Sequence, residues 1–173
     1  MVSAWDTIKI VRPRRLWGVR NWFAAGAMLL ALIFNLLSAV TECFPALAVY
    51  WGHAATVYEP EMFRNTIRRA GLTVEDLPVA VWVGLLVEKG ENGGMNVYTS
   101  GLNAFGVMEI EVIDTRNTFK ETLQLLWTLA AYQISEGSVV RDGDTVGDAD
   151  ERIKTHHAES AIGRKEKVLR VDF

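Results

Sequence analysis

The spacing of apolar and polar positions changes several times along the chain, and the changes mark out its elements. From Asn21 to Thr41 no residue is charged, and Phe23 to Val40 is almost wholly apolar. At helical spacing Ala24, Met28, Ala31, Asn35, Ser38, Ala39 and Glu42 form one stripe, with Leu29, Leu30, Ile33, Leu36, Leu37 and Val40 opposite. Small and polar residues facing away from large ones predict a helix laid on a sheet. The run is also long enough to cross a bilayer, which takes roughly 20 apolar residues, and basic residues precede it. Asn35 argues against a span, because an amide in hydrocarbon is costly without a partner. So does Pro45, which leaves no linker before Ala46 to Trp51, a segment that reads as a core strand.

Further along, Glu59-Pro60-Glu61 starts a short helix, since proline fits the first turn and acids favour the N-terminus. Met62, Phe63 and Ile67 are expected to face inward, and Gly71 to terminate the helix. Val79 to Val87 is a near-continuous apolar run rich in valine, which predicts a strand buried on both faces. Glu91 to Gly94 makes a turn, and Met95 to Thr99 returns as the hairpin partner. Val107 to Ile113 alternates: Met108, Ile110 and Val112 share one face, Val107, Glu109, Glu111 and Ile113 the other. Thr118 and Glu121 stand three apart like a capping box. Phe119, Leu123, Leu126, Trp127, Ala130 and Ile134 then repeat at helical spacing to about Ser135. Val139-Val140 begins a short strand, Asp142 to Gly147 is turn chemistry, and Lys167 to Val171 is a terminal strand. Residues 148–162 are polar and carry no clear pattern. Hairpin-linked strands with helices between the blocks predict an α+β fold, with a mixed, largely antiparallel sheet packed by two long helices and one short one. Residues 1–20 are left unassigned, and 21–173 form a single domain.

Composition sharpens this picture in two places. The 173 residues are half hydrophobic, enough to bury one core. The net charge of −3 hides an asymmetry. Lys9, Arg12, Arg14, Arg15 and Arg20 face only Asp6 before residue 42, and the remainder is strongly acidic. An acidic body argues against nucleic acid, because phosphate binding needs a basic face. Cys43 is the single cysteine, which excludes an internal disulfide and points to a reducing compartment, the cytoplasm. Its plainest role is that of a small buried apolar residue.

Several stretches taken together resemble a bacterial family known as domain of unknown function family 4261. They are Pro45-Ala-Leu-Ala-Val-Tyr-Trp-Gly52, Glu59 to Phe63, Leu77 to Val83, Tyr98 to Gly106 with Glu109-Ile-Glu111, and Asp142 to Gly147. The resemblance runs from about residue 30 to the end and rests on order and spacing. It implies a fold and carries over no catalytic residue. It also implies further strand and helix ahead of this point, so the chain is expected to lack part of its domain and to leave one face of the 21–44 helix exposed. More remotely, Thr99-x-Gly101-Leu102, a Glu-bearing strand and a Trp-containing helix are similar to the suppressor-of-fused-like fold. Its bacterial relatives include immunity proteins that block toxins, an analogy at the level of fold.

Candidate chemistry is sparse. Glu109 and Glu111, roughly 7 Å apart by strand rise, could divide acid and base roles, but the plainer reading is a solvated strand face. Asp142, Asp144, Asp148 and Asp150 suggest calcium, yet Val146 and Ile153 occupy ligand positions of the EF-hand pattern. His53, His156 and His157 have no spacing that requires metal. Gly101 and Gly106 have a Walker-like spacing but are followed by Val107-Met108 rather than Lys-Ser/Thr. The six tryptophans are read as core and strand packing. The expectation is therefore a non-enzymatic protein-binding domain, immunity-like or regulatory, with another protein as partner. No catalytic, cofactor-binding or metal residue is assigned. Two alternatives remain open: a single-pass protein tethered through residues 21–41, and a hydrolase using Glu109 and Glu111.

Overall fold

The computed structural model describes residues 17–71, 76–147 and 152–173; the unassigned segment before residue 17 lies outside them. Helix α1 (Trp17–Cys43) leads into a small antiparallel pair, β1 (Val49–Trp51) and β2 (Thr56–Tyr58). Helix α2 (Pro60–Arg69) and one turn of helix, α3 (Val79–Trp82), follow. Then come β3 (Gly84–Lys89), β4 (Met95–Ser100), a 3₁₀ turn (Leu102–Phe105) and β5 (Ile110–Thr115). Helix α4 (Phe119–Glu136) precedes β6 (Thr145–Gly147), β7 (Arg152–Ala158) and β8 (Val168–Asp172). The main sheet has the order β3-β4-β5-β8-β7-β6. Only β5 and β8 pair in parallel; the other neighbours are antiparallel. The fold is α+β with a mixed sheet, as the pattern predicts.

Local signals decide the two best-defined helix starts. The Glu59 carboxylate accepts the N–H groups of Glu61 (2.9 Å) and Met62 (2.6 Å), with Pro60 in the first turn. Thr118 and Glu121 form a reciprocal capping box at α4. Phe63 and Ile67 are buried as expected, but Met62 points into water. The α2 helix stops at Ala70 in an extended conformation, one residue before Gly71.

Several expectations are corrected. The Val79–Val87 run is not one strand. Its first four residues form α3, and β3 begins only at Gly84, with Leu86 and Val87 exposed because β3 is an edge strand. An apolar run without a period fits either geometry. The strand expected from Ala46 begins at Val49, and Leu47 is fully exposed. Val139-Val140 has no strand; β6 starts at Thr145. The patternless region contains β7. Cys43 is exposed rather than buried.

Helix α1 is held by one face. Phe34 is buried, with its ring 4.8 Å from Trp51, 5.7 Å from Phe63 and 6.2 Å from Trp82, so four elements meet on one aromatic side chain. Ser38 is buried beside it, and Leu30, Ala31 and Leu37 pack against the core. Arg64 donates to the Thr41 carbonyl (3.1 Å), and Arg68 pairs with Glu42, tying the end of α1 to α2. Leu29, Ile33, Leu36 and Val40 are exposed. The buried face thus cuts across both expected stripes: Ala31 and Ser38 of the small one and Leu30 and Leu37 of the large one turn inward around Phe34, while Met28, Asn35, Ala39 and Glu42 of the small one are exposed. Among the described residues no helix is long and apolar enough to cross a membrane.

The β3–β4 hairpin is clamped from β5. Between Met95↔Thr115 and Val97↔Val112 the register shifts, so three steps along β5 oppose two along β4. Asp114 sits in this bulge with φ of 52°, a conformation that Asp tolerates better than most residues. Its carboxylate accepts the Asn92 side chain (2.6 Å) and the N–H groups of Gly94 (3.0 Å) and Asn92 (3.2 Å). These bonds, the Asn92 side chain first, hold its pKa below the ordinary 3.8. A depressed folded-state pKa adds stability above the ordinary value, and that stability is lost as pH falls through the depressed one. Asp114→Asn keeps the backbone conformation accessible. It should melt below the wild type near pH 7, with the gap shrinking steadily below pH 3.8; thermal melts across that range measure it.

Candidate functional site

The two strand glutamates, expected on a solvated face, are both buried. Glu109 accepts from Thr99 Oγ1 (2.7 Å) with one oxygen and from the N–H groups of Gly101 (2.8 Å) and Asn103 (3.2 Å) with the other. The start of the 3₁₀ turn thus has its own carboxylate in place. An incoming phosphate would meet a negative charge there, which removes the Walker-like reading. Gly101 must be glycine: its φ is 115°, and a Cβ would stand 2.6 Å from the Trp82 carbonyl oxygen.

Glu111 has no exposed surface. Its Oε1 accepts from Ser160 Oγ (2.6 Å), and its Oε2 from the Ala161 N–H (2.9 Å) and Arg170 Nη2 (3.0 Å). The same Arg170 nitrogen donates to the Glu159 carbonyl (2.9 Å). Arg170 is also the β8 residue registered against Glu111 in the parallel ladder. Burial of a charge is tolerated here because it is paired and hydrogen-bonded. Glu109 and Glu111 share no partner. Neither lines the cavities of about 660 Å³ beside α2, about 480 Å³ beside the β3–β4 turn, or about 270 Å³ between α1, α2 and α3. Each is committed to holding backbone in place, and no arrangement for shared acid–base chemistry is formed.

The other candidates disperse. His157 Nε2 lies 3.1 Å from the Val140 carbonyl, and its N–H donates to Asp142 Oδ1 (2.8 Å). His156 Nδ1 is 3.5 Å from an Asp172 oxygen. The His53 ring lies 5.2 Å from that of Trp51, tilted 49° to it. Asp144 accepts from the Arg141 N–H (2.8 Å), so it folds its own turn; Asp148 and Asp150 lie outside the described residues. No group of three or more metal-ligating side chains converges among the described residues. Trp51 and Trp82 are packed into the aromatic cluster, and the Trp51 Nε1 donates to the Trp82 carbonyl (3.2 Å).

What remains is a surface. Met28, Leu29, Leu32, Ile33, Leu36, Val40 and Phe44 are exposed along α1 and just beyond it. Met28 and Leu32 also edge the 270 Å³ cleft, which Phe34, Ile67 and Trp82 help to line. Between Asn21 and Thr41 the helix carries no charge, so this face has no ionic group of its own until Glu42. An exposed face on this helix was expected from the sequence; which residues form it was not, because the aromatic partners that select the buried face lie far along the chain.

Glu111 offers a direct check on the structural reading. Glu111→Ala leaves the largely buried Arg170 without its counter-ion and frees the Ser160–Ala161 loop, which should cost about 2–4 kcal/mol. Urea unfolding measures it, and a change below about 0.5 kcal/mol would contradict the assigned role.

No curated protein and no solved structure matches the chain, so the suppressor-of-fused-like analogy receives no support from them. The segment from within β4 to the end of β8, residues 98–172, matches the family described as Domain of unknown function (DUF4261), the family that the sequence resembles.

Proposed function

We propose that this protein is a non-catalytic protein-binding domain, regulatory or immunity-like in role, and that the outward face of α1 is its contact surface. One observation carries the reading. A monomeric domain seldom exposes an apolar patch much beyond about 300–600 Å², and larger ones mark interaction sites. Here Leu29, Leu32, Leu36 and Phe44 are each 60% to 67% exposed, with Ile33 and Val40 between them. Side chains of this size at this exposure amount to on the order of 700 Å² of apolar surface. The buried glutamates add support from the other side, since their oxygens are already taken by the fold. A cytoplasmic setting goes with the reading, because the lone Cys43 is an exposed free thiol.

The test uses the full chain, tagged and recovered from its host, beside a Leu29→Glu/Leu36→Glu variant. Both positions are exposed, so the variant should fold. A stoichiometric protein partner, or a second copy of the chain, should accompany the wild type and be lost from the variant. Identical recovery with both, or a folded wild type that binds no protein, would overturn the proposal.

A further inference from the structure

We infer that the occupant of this face is a second copy of the same chain, with α1 packed antiparallel on its counterpart across a two-fold axis. The inference rests on the protein-binding reading and names its partner. Along the outward face, Gly26, Leu29, Ile33, Leu36, Val40 and Cys43 are all exposed and follow one another at intervals of three, four, three, four and three. That is the a/d spacing of a helix–helix seam. The inward residues Leu30, Ala31, Phe34, Leu37, Ser38 and Thr41 fall outside this row, so docking on the domain and pairing with a copy use different sides of the helix.

The interval pattern reads the same in both directions. An antiparallel copy centred between Phe34 and Asn35 therefore sets Ile33 against Leu36, Leu29 against Val40 and Gly26 against Cys43. Each large residue meets a large one, and the terminal layer sets glycine against a small thiol. Gly26 has nothing within 4 Å of where a Cβ would stand, which leaves room for close approach. A two-fold contact requires a surface complementary to itself, and this one is.

Area and charge agree. The seam together with Leu32 and Phe44 on its flanks offers on the order of 700 Å² per copy, near the roughly 800 Å² per partner of a stable interface. The seam is uncharged, so nothing on it selects a partner of opposite sign. Antiparallel packing also sets the two helix dipoles in opposition.

The experiment is sedimentation equilibrium on the full chain. The wild type should dimerise at micromolar to tens of micromolar concentration. Ile33→Glu and Leu36→Lys, each checked for an unchanged circular dichroism spectrum, should each weaken self-association about tenfold or more. Mixing the two variants should restore a heterodimer, because position 33 of one copy faces position 36 of the other. A parallel pair would set 33 against 33 and recover nothing, so weakened variants that stay apart on mixing overturn the antiparallel geometry. A wild type monomeric throughout overturns the second copy altogether. If that monomer instead floats with phosphatidylcholine vesicles through the same residues, the face belongs to lipid and the protein-binding reading falls too. If it captures a different protein through them, that reading stands without the self-pairing.

Discussion

The six-stranded sheet is one sheet only because β5 pairs with β8. On one side of that seam lie β4 and β3, contiguous in sequence with β5; on the other lie β7 and β6. The two blocks touch through three parallel pairs, Ile110↔Leu169, Glu111↔Arg170 and Val112↔Val171, and one further backbone bond from Leu169 to Glu109. Parallel pairing of strands so far apart in the chain closes a loop of more than fifty residues before it gains anything. The Glu111 carboxylate sits on this seam. It bonds to Arg170 beside it and to the Ser160–Ala161 loop that precedes β8, so one buried charge fixes both the register and the return path.

Glu109, two residues earlier, does comparable work at the end of the strand. Its two oxygens hold Thr99 on β4 and the entry to the 3₁₀ turn. That turn supplies Leu102 and Phe105 to the core, and Phe105 lies 5.2 Å from Trp82. The chain is thus continuous in mechanical terms. Glutamates seat the sheet and its turn, the turn packs on the aromatic cluster, and the cluster grips Phe34 of α1. Replacing either carboxylate would leave buried donors unmatched, which costs more than the net worth of the original bond.

Features set by neighbours in sequence were legible before any fold was known. The capping box at Thr118, the acidic first turn at Glu59-Pro60-Glu61 and the β3–β4 hairpin depend on residues within a few positions of one another, and all three form. Features set by distant partners were not. Glu111 reads as a wet-face residue until Ser160 and Arg170 arrive from 49 and 59 positions away. The apolar stretch from Val79 has no period, so only packing divides it between α3 and β3. The small and large stripes read from α1 do not match its buried side, which is centred on Phe34, draws on both stripes and depends on Trp51, Phe63 and Trp82. Asp144 and Asp142 looked like ligands for an ion because turns and cation sites draw on the same oxygen-rich residues; the backbone donors of Arg141 and His157 occupy them instead.

The family match sharpens where function should be sought. Residues 98–172 take in α4, β5 to β8 and both buried glutamates, while α1, the β1–β2 pair and α2 lie outside that span. Within the matched part, Glu109 and Glu111, which first suggested chemistry, turn inward and are engaged by the fold. Outside it, Leu29, Ile33, Leu36 and Val40 of α1 turn outward and are left without cover. Glu109 and Glu111 already hold donors with both of their oxygens. A helix gripped on one side and bare on the other still has a favourable contact to make, because burying that face costs no charge and releases ordered water. Among the described residues the unspent interaction is therefore hydrophobic and lies on α1, and this is the face that the proposed partner would cover.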